Sequence, residues 1–284
     1  MQITAKNNIK QKLFDVAREN FSTVSRKLYQ DLPEPSMYKV TLSAKNKKEY
    51  DANVKPTVNT VSQPYDYSLN EDGTPKMWVS FANKYLGGGF LDEGFVQEEV
   101  LTLEFYQMSE MIVKKSIPLM AINEAYIFKN LIRTSVSDPK GYKDYTKAKL
   151  APVKDVQVAD FLAIDAPKRK SREAPYEFKE LNHLCLKSLC GFSGCAKLGY
   201  KEINTGNWGA GVFYNQHTVV YFIQVLSAWL VGIADVTFWM YEDNDDTNTV
   251  LDLLDESEDV DEFFTKGMKM LGLGKYTIEK LYSM

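Results

Sequence analysis

Two adjacent acids follow a run of glycines at a spacing suited to acid–base chemistry. The glycine triplet at residues 87–89 is followed, after a gap of seven residues, by Gln97, Glu98 and Glu99, where a helical pattern begins. Residues without a Cβ let the backbone approach a ligand closely. A carboxyl group can protonate a leaving oxygen and then activate water. The pattern therefore predicts an acid pair beside a loop that contacts a sugar or a phosphate.

The electrostatic setting of the two acids has opposing parts. The N-terminus of a helix favours an ionised carboxylate, which is unsuited to a general acid at neutral pH. Burial, the neighbouring carboxylate and a bound anionic diphosphate would together favour the protonated form. An adjacent Glu pair at a helix start is also typical of a solvated cap, so the surrounding sequence has to decide between the two interpretations.

A second loop of the same kind occupies residues 204–213, NTGNWGAGVF. It is predicted to join a strand to a helix and to present backbone N–H groups to a diphosphate. The candidate binding residues in it are Thr205, Gly206, Asn207, Trp208, Gly209, Ala210, Gly211, Val212 and Phe213. Two anion loops after two strands favour one cavity on which both loops and the acid pair converge.

Bulk composition excludes several classes of protein. The 284 residues are 44% hydrophobic and 25% charged, as in a folded globular chain with a substantial core. The net charge of −4 argues against broad electrostatic binding of nucleic acid. The cysteines are odd in number, and residues 1–10 lack the apolar core of a signal peptide. An intracellular setting, cytoplasmic or nuclear, is expected.

Two clusters are assigned no functional role. The basic residues in 168–172 are interpreted as a solvated loop. His183 lies near Cys185, Cys190 and Cys195, but no close Cys-x-x-Cys pair is present, so no zinc site is predicted. Cys185 and Cys190 are expected to pack inside a helix. We expect catalysis without a metal or another cofactor.

One apolar stretch has the length of a membrane span. Residues 219–239 carry almost no charge, but Gly232 and Asp235 divide them into an apolar helix and a β-branched, aromatic strand. We therefore predict a buried helix followed by a core strand, and keep a membrane anchor only as a competing hypothesis. The acidic segment after Tyr241 is predicted to form amphipathic helices with a solvated acidic face.

The alternation of apolar patterns predicts an α/β fold with helices on both faces of a sheet. Strands are predicted at residues 77–82, 119–128, 158–164, 201–204 and 236–241, and helices at 97–113, 176–189 and 218–231. Residues 8–32 resemble a helix with an apolar face that includes Ile9, Leu13 and Val16, and 43–75 an irregular connection that partly covers the site. We expect an accessory segment, 1–75, packed into one unit with a catalytic region, 76–284.

The motifs resemble those of the poly(ADP-ribose) glycohydrolases, macrodomain enzymes marked by GGG-x(6-8)-QEE. The matching stretches, in the family's order, are FANKYLGGG, QEE, AIDA at 163–166, ELN at 180–182, CGF at 190–192 and TGNWGAGVF. They cover about residues 77–241. The resemblance implies a three-layer α/β/α macrodomain with a mixed central sheet, extended by an N-terminal helix and by C-terminal helices.

The resemblance also implies roles for individual residues. Glu99 looks like the acid that protonates the departing ribose oxygen and then activates water, Glu98 like its partner on the ribose hydroxyls, and Asn83 like the residue that orients the same sugar. The other implied ligand contacts are Gly87, Gly88, Gly89 and Gln97 together with the second loop. Adenine stacking is implied for Tyr142 or Tyr145 and for Tyr241.

The sequence departs from the family pattern at two places. Ser80 stands where an Asp commonly precedes FAN, and residues 214–217, beginning with Tyr214, replace a glycine-rich continuation. Tyr214 is expected to narrow the diphosphate cleft or to offer a new stacking surface, so substrate preference stays open.

The implied function is hydrolysis of ribose–ribose O-glycosidic bonds of poly(ADP-ribose), with ADP-ribose as product. The alternatives are removal of single ADP-ribose units from proteins and non-catalytic binding of ADP-ribose. The expected partners are the polymer or ADP-ribosylated proteins, without sequence-specific nucleic-acid binding or a membrane, and with the chain acting as a monomer.

Overall fold

The computed structural model describes residues 3–28, 33–42, 54–138, 144–240 and 245–282. Helices and strands alternate through most of this length, which confirms the α/β prediction. In chain order the elements are α1 Asn8–Leu28, β1 Ser36–Thr41, β2 Thr57–Val61, β3 Met77–Ala82, α2 Gln97–Glu104, α3 Tyr106–Lys114, β4 Glu124–Ser137, β5 Leu150–Asp165, α4 Phe178–Lys197, β6 Glu202–Thr205, α5 His217–Val231, β7 Asp235–Trp239, α6 Asp245–Asp255, α7 Val260–Met270 and α8 Ile278–Leu281.

The chain divides into two compact units. The first comprises Met1–Tyr38, Tyr67–Met120 and Ile127–Ala163, and the second comprises Lys39–Asp66, Ala121–Tyr126 and Ile164–Met284. The acid pair belongs to the first unit and the second glycine loop to the second unit.

In the first unit the strands lie in the order β4, β5, β3. Asp138 N donates to Lys149 O at 3.0 Å, where β4 ends and β5 begins, so these two strands run antiparallel. Strand β3 is buried along almost its whole length. An aromatic cluster fills the core around it, with the Phe105 and Phe161 ring centroids 4.7 Å apart and Tyr67 in edge contact with both.

In the second unit the strands lie in the order β6, β7, β2, and both neighbouring pairs are parallel. Asp235 of β7 is in register with Thr57 on one side and Glu202 on the other. Parallel strands covered by helices are buried on both faces, which explains the continuous apolar run of β7. The antiparallel strands of the first unit and the parallel strands of the second confirm the prediction of an α/β fold with mixed strand directions.

Helix α5 and strand β7 account for the apolar stretch at 219–239. The helix is buried on nearly every side and ends at Gly232, which is left-handed with φ 73° and ψ 30°. This confirms the predicted division into helix and strand. Within the described ranges, no helix is both long and apolar enough to cross a membrane.

The C-terminal acidic segment forms helices, as predicted. Val250, Leu253 and Leu254 of α6 are buried, while its acidic residues lie on the other face. In α7, Phe263 packs on Phe222 of α5 at 5.0 Å between ring centroids. The tail is therefore part of the core of the second unit.

The buried face of helix α1 matches the predicted one only in part, at Leu13. Ile9 and Val16 are 41% and 37% exposed, whereas the buried face consists of Lys10, Leu13, Phe14 and Ala17. These residues recur at helical spacing. Lys10 belongs to this buried face. The face was not recognised in the sequence because a charged residue does not count as apolar in a periodicity search.

Several predicted boundaries were wrong. Residues 57–61 form β2, an element that was missed inside the predicted irregular connection, because pairing with β7 orders a sequence of weak periodicity. The predicted helix 97–113 is two helices, since buried Phe105 breaks it to join the aromatic cluster. The predicted strand 119–128 begins later and extends to Ser137. Helix α4 continues beyond 189 to Lys197.

Candidate active site

Gln97 fixes the start of α2 against strand β3. Its side-chain Oε1 accepts from Phe81 N at 2.7 Å, and its Nε2 donates to Val79 O at 3.1 Å. Residues two apart on a strand point their backbone groups to the same side. The Gln97 amide therefore pairs with β3 as a neighbouring strand would. This residue contributes to the site by placing the next two.

Glu98 and Glu99 are both buried, with 3% and 5% of their surface exposed. Glu98 accepts from Gly87 N at 2.6 Å and from Asn83 N at 2.8 Å. Glu99 accepts from Gly89 N and from Val96 N, both at 2.9 Å. The interpretation as a solvated cap is wrong, because each carboxylate is withdrawn from water and bound through both oxygens.

Gly88 lies between the two carboxylates. It has φ +55°, and a Cβ on it would lie 2.4 Å from Glu99 Oε1 and 2.7 Å from Glu98 Oε2. The opposite wall is Gly94, where a Cβ would lie 2.7 Å from Glu99 Oε1. Only glycine fits at either position. The glycines thus wrap the acid pair at van der Waals distance.

Two other predicted site residues of the first unit, Asn83 and Tyr145, lie near the glycine loop. The Asn83 Oδ1 accepts from Tyr85 N at 3.1 Å, which holds the chain as it leaves β3. The Tyr145 ring centroid lies 5.7 Å from Lys10 Nζ, and Lys10 contacts the glycine loop. Tyr142 and Tyr241 lie outside the described residues.

The second glycine loop has backbone donors with no acceptor among the residues that the structure describes. Neither Asn207 nor Gly209, nor any residue of Gly211 to Phe213, donates its N–H to another residue in the described part of the chain. Gly211 and Val212 are exposed. Backbone N–H groups that have no protein acceptor can bind an anion where they point to a common place.

Buried side chains hold this loop in place. Trp208 is fully buried, and its Nε1 donates to Ile164 O at 3.1 Å. Asn215 Nδ2 donates to Pro167 O at 2.9 Å and to Gly209 O at 3.0 Å. The Tyr221 hydroxyl donates to Asn207 Oδ1. These hydrogen bonds tie the loop to the buried part of the second unit.

The basic cluster is only in part the solvated loop that was predicted, because Lys168, Lys170 and Arg172 are exposed but Arg169 is buried. Arg169 is 3% exposed, and its guanidinium donates to Ala174 O and to Tyr214 O. Arg172 Nη2 donates to Ala210 O at 2.5 Å. Both arginines thus organise the second loop. A guanidinium can cap several carbonyls at once, but nothing in the sequence shows which arginine does so.

Tyr176 completes the support around Arg169. The guanidinium carbon lies 3.7 Å from the centroid of the Tyr176 ring. The Tyr176 hydroxyl accepts from Gln216 N at 2.9 Å, and burial raises its pKa to about 12. The tyrosine therefore stays neutral and acts as a hydrogen-bonding element of the loop.

A polar cluster of Asp165, His183 and Lys187 lies near the cysteines of α4. Asp165 Oδ1 lies 2.7 Å from Lys187 Nζ, and its Oδ2 lies 3.0 Å from His183 Nε2. Burial acts to raise the pKa of Asp165, but the His183 hydrogen bond and the Lys187 charge hold it below the ordinary value. Cys185 and Cys190 pack inside α4 as predicted. No group of three or more possible metal ligands occurs among the residues that the structure describes.

The two departures differ in their surroundings. Ser80 is buried in β3 at 1% exposure. Tyr214 is 44% exposed and has φ 59°, a conformation that is costly for a residue with a Cβ. It directly follows Gly211 to Phe213, whose N–H groups have no acceptor among the described residues.

Comparison with known proteins identifies the family. A model described as "Poly (ADP-ribose) glycohydrolase (PARG), Macro domain fold" matches residues 46–248. The chain is 30% identical over 190 residues to poly(ADP-ribose) glycohydrolase 1 of Caenorhabditis elegans, covering 60% of this chain and 23% of that protein. It is 28% identical over 216 residues to poly(ADP-ribose) glycohydrolase 2 of the same organism, covering 67% and 41%.

Solved structures show the same fold. The crystal structure of poly(ADP-ribose) glycohydrolase from Thermomonospora curvata has a TM-score of 0.53 at 15% identity, with 82% of this chain and 94% of that chain covered. The crystal structure of poly(ADP-ribose) glycohydrolase from Deinococcus radiodurans in complex with ADP-ribose has a TM-score of 0.50 at 16% identity, with 83% of this chain and 95% of that chain covered.

The fold and the buried acid pair define a macrodomain-type protein with a candidate hydrolytic site. The chain belongs to the poly(ADP-ribose) glycohydrolase catalytic-domain family. It spans less than half the length of the two curated relatives. The predicted convergence of the two loops on one cavity stays a prediction.

Proposed function

We propose that the chain hydrolyses ribose–ribose O-glycosidic bonds of poly(ADP-ribose) and releases ADP-ribose. The observation that carries the proposal is the pair of buried carboxylates at Glu98 and Glu99, wrapped by glycines and bound through backbone N–H groups. A binding protein for ADP-ribose needs no such pair. Family membership supports the same activity.

The proposed chemistry begins with proton transfer from Glu99. Glu99 gives its proton to the leaving ribose oxygen as the glycosidic C–O bond breaks, and positive charge develops on the sugar ring. The resulting carboxylate then takes a proton from water, and the hydroxide adds to the anomeric carbon. Glu98 and Asn83 hold the ribose during these steps. Most glycosidases divide such work between two separated carboxylates. In the proposed mechanism, by contrast, Glu99 alone performs both proton transfers.

The second loop supplies the proposed diphosphate contacts. The N–H groups of Asn207, Gly209 and Gly211 have no protein acceptor among the described residues, which supports binding of an anion there. Of the tyrosines predicted to stack on adenine, Tyr145 lies among the described residues. Its ring is close to Lys10, which in turn contacts the glycine loop.

The proposal extends to the setting of the reaction. The three cysteines are buried thiols, which supports an intracellular compartment. We propose that the chain acts as a monomer without a metal or another cofactor, on the polymer or on ADP-ribosylated proteins.

The test compares two substrates under identical conditions. Purified chain is incubated with poly(ADP-ribose) and with a protein carrying single ADP-ribose units, and released ADP-ribose is quantified by chromatography. Release from the polymer with little release from the singly modified protein supports the proposal. Preferential release from the singly modified protein assigns the chain to mono-ADP-ribosyl hydrolases. Binding of ADP-ribose without release from either substrate shows a reader and rejects catalysis.

A further inference from the structure

A lysine is buried at the back of the glycine loop. Lys10 of α1 is 0% exposed, which is rare for this residue type. Its Nζ donates to Gly94 O at 2.5 Å and lies 5.0 Å from the centroid of the Phe95 ring and 5.7 Å from that of Tyr145. Burying a charged group costs stability unless hydrogen bonds or opposite charges compensate for the lost hydration.

The lysine acts on the peptide that walls in Glu99. A Cβ added at Gly94 would lie 2.7 Å from Glu99 Oε1 and 2.8 Å from Gly89 Cα, so the Gly94 backbone touches both the acid and the loop that binds it. Lys10 fixes the carbonyl of this same residue. A shift of Gly94 would therefore change the position of Glu99.

Neighbouring residues of α1 hold the same stretch of loop. Asn7 caps α1 by accepting from Lys10 N at 2.8 Å, and its Nδ2 donates to Asp92 O at 3.3 Å. Lys6 N donates to Leu91 O at 2.7 Å. These contacts bring the N-terminal turn of the helix onto the loop, and Lys10 is the buried contact nearest to the acid.

We infer that Lys10 is a positioning residue for the reaction, which holds the Gly94 peptide against the Glu99 carboxyl group and does so at a cost to stability. The inference rests on the proposed function, because its effect is on the geometry of the proposed acid. The N-terminal helix thereby contributes to the site a residue that lies far from the acid pair in sequence.

The charge balance around Lys10 shows the cost. Burial lowers the pKa of Lys10 to about 8, although the charges of Glu99 and Asp92 act to raise it. The groups that face the ammonium are Glu99 from α2, Asp92 from the loop and the Tyr145 ring, and Asp92 is also paired with Lys6 at 2.7 Å. The folded-state pKa lies below the unfolded value of about 10.4. The folded protein therefore gains stability as pH rises from about 8 to 10, where the unfolded chain still binds the proton.

The experiment uses Lys10→Met and a matched control, Lys12→Met, which changes an exposed lysine on the same helix. Release of ADP-ribose from the polymer gives kcat and KM, and thermal unfolding from pH 7 to 10 gives stability. We expect Lys10→Met to lower kcat at least about tenfold, with KM within about twofold, because geometry at the acid changes and substrate binding does not. Its Tm at pH 7 should equal or exceed that of wild type, and the wild type should gain on the variant as pH rises.

The outcomes separate the two proposals. Wild-type release together with an unchanged kcat for Lys10→Met rejects the role of Lys10 alone. A variant that is less stable at pH 7, or does not fold, shows that the ammonium supports the fold and overturns the inference. Absence of release by both wild type and Lys12→Met rejects the proposed function instead, while the stability arm still reports whether Lys10 is held at a cost.

Discussion

Replacing Glu99 by Gln tests both the chemistry and the geometry of the site. The carboxylate accepts from Gly89 N with one oxygen and from Val96 N with the other. A Gln side chain has almost the same shape but only one acceptor oxygen. Its NH2 group must therefore face one of the two backbone N–H groups, and that hydrogen bond is lost.

The size of the effect follows from this count. A hydrogen bond to a charged acceptor contributes about 1.5–3 kcal/mol, and the 5% exposure of Glu99 leaves little screening by solvent. Loss of about 2 kcal/mol corresponds to a fall in Tm of roughly 4–8 °C for a chain of this size. Loss of general acid–base catalysis should lower turnover by about 100- to 10,000-fold.

The assays are release of ADP-ribose from the polymer, thermal unfolding, and titration with ADP-ribose. The matched control is Glu93→Gln, which changes an exposed acid of the same loop and should leave stability within about 0.5 kcal/mol. We expect ADP-ribose affinity to change little in Glu99→Gln. Turnover near the wild-type value would remove Glu99 from the mechanism. An unchanged Tm would show that the carboxylate does not hold both N–H groups.

Three further predictions concern the loops and their support. Gly88→Ala should abolish release of ADP-ribose and should destabilise the protein more than Gly272→Ala. Both glycines have positive φ, but only at Gly88 would a Cβ lie against a carboxylate. Chemical denaturation measures the difference in stability. Arg169→Met should lose about 3 kcal/mol or more of stability, because it leaves two carbonyls, of Ala174 and Tyr214, without their donor, and it should weaken ADP-ribose binding. The exposed Lys170→Met should change neither in unfolding and titration experiments. Burial and the nearby Arg172 guanidinium lower the pKa of His217 below 6.5, so the stability of the folded protein should fall as pH drops below about 6.5. His217→Gln should reduce that fall. Urea midpoints measured at pH 7.5 and at pH 5 test this.

The sequence predicted elements best where local pattern and tertiary packing agree. Strand β3, helix α5 and the C-terminal helices have apolar periodicities that match their buried faces. Strand β2 could not be predicted, because its order comes from pairing with β7, far along the chain. The break at Phe105 was also missed, since it follows from packing against Phe161 and not from a local helix-breaking residue.

The candidate site divides in the same way. Glu98, Glu99 and the glycines were predicted from their spacing, and the structure places them in contact. Lys10 and Arg169 were missed because their roles depend on burial against backbone carbonyls, which carry no sequence signature. A lysine on the buried face of a helix was the available signal for the first of these.

The two glycine loops look alike in sequence but differ in what their N–H groups bind. In the first loop, the N–H groups of Gly87 and Gly89 donate to Glu98 and Glu99, and those of Gly88 and Phe90 close turns within the loop. These donors are occupied by the protein itself. In the second loop, several donors have no acceptor in the described part of the chain. The first loop therefore shapes and holds the acids, whereas the second is the one suited to an external anion. A substitution in the first loop should accordingly act mainly on turnover, and one in the second mainly on affinity.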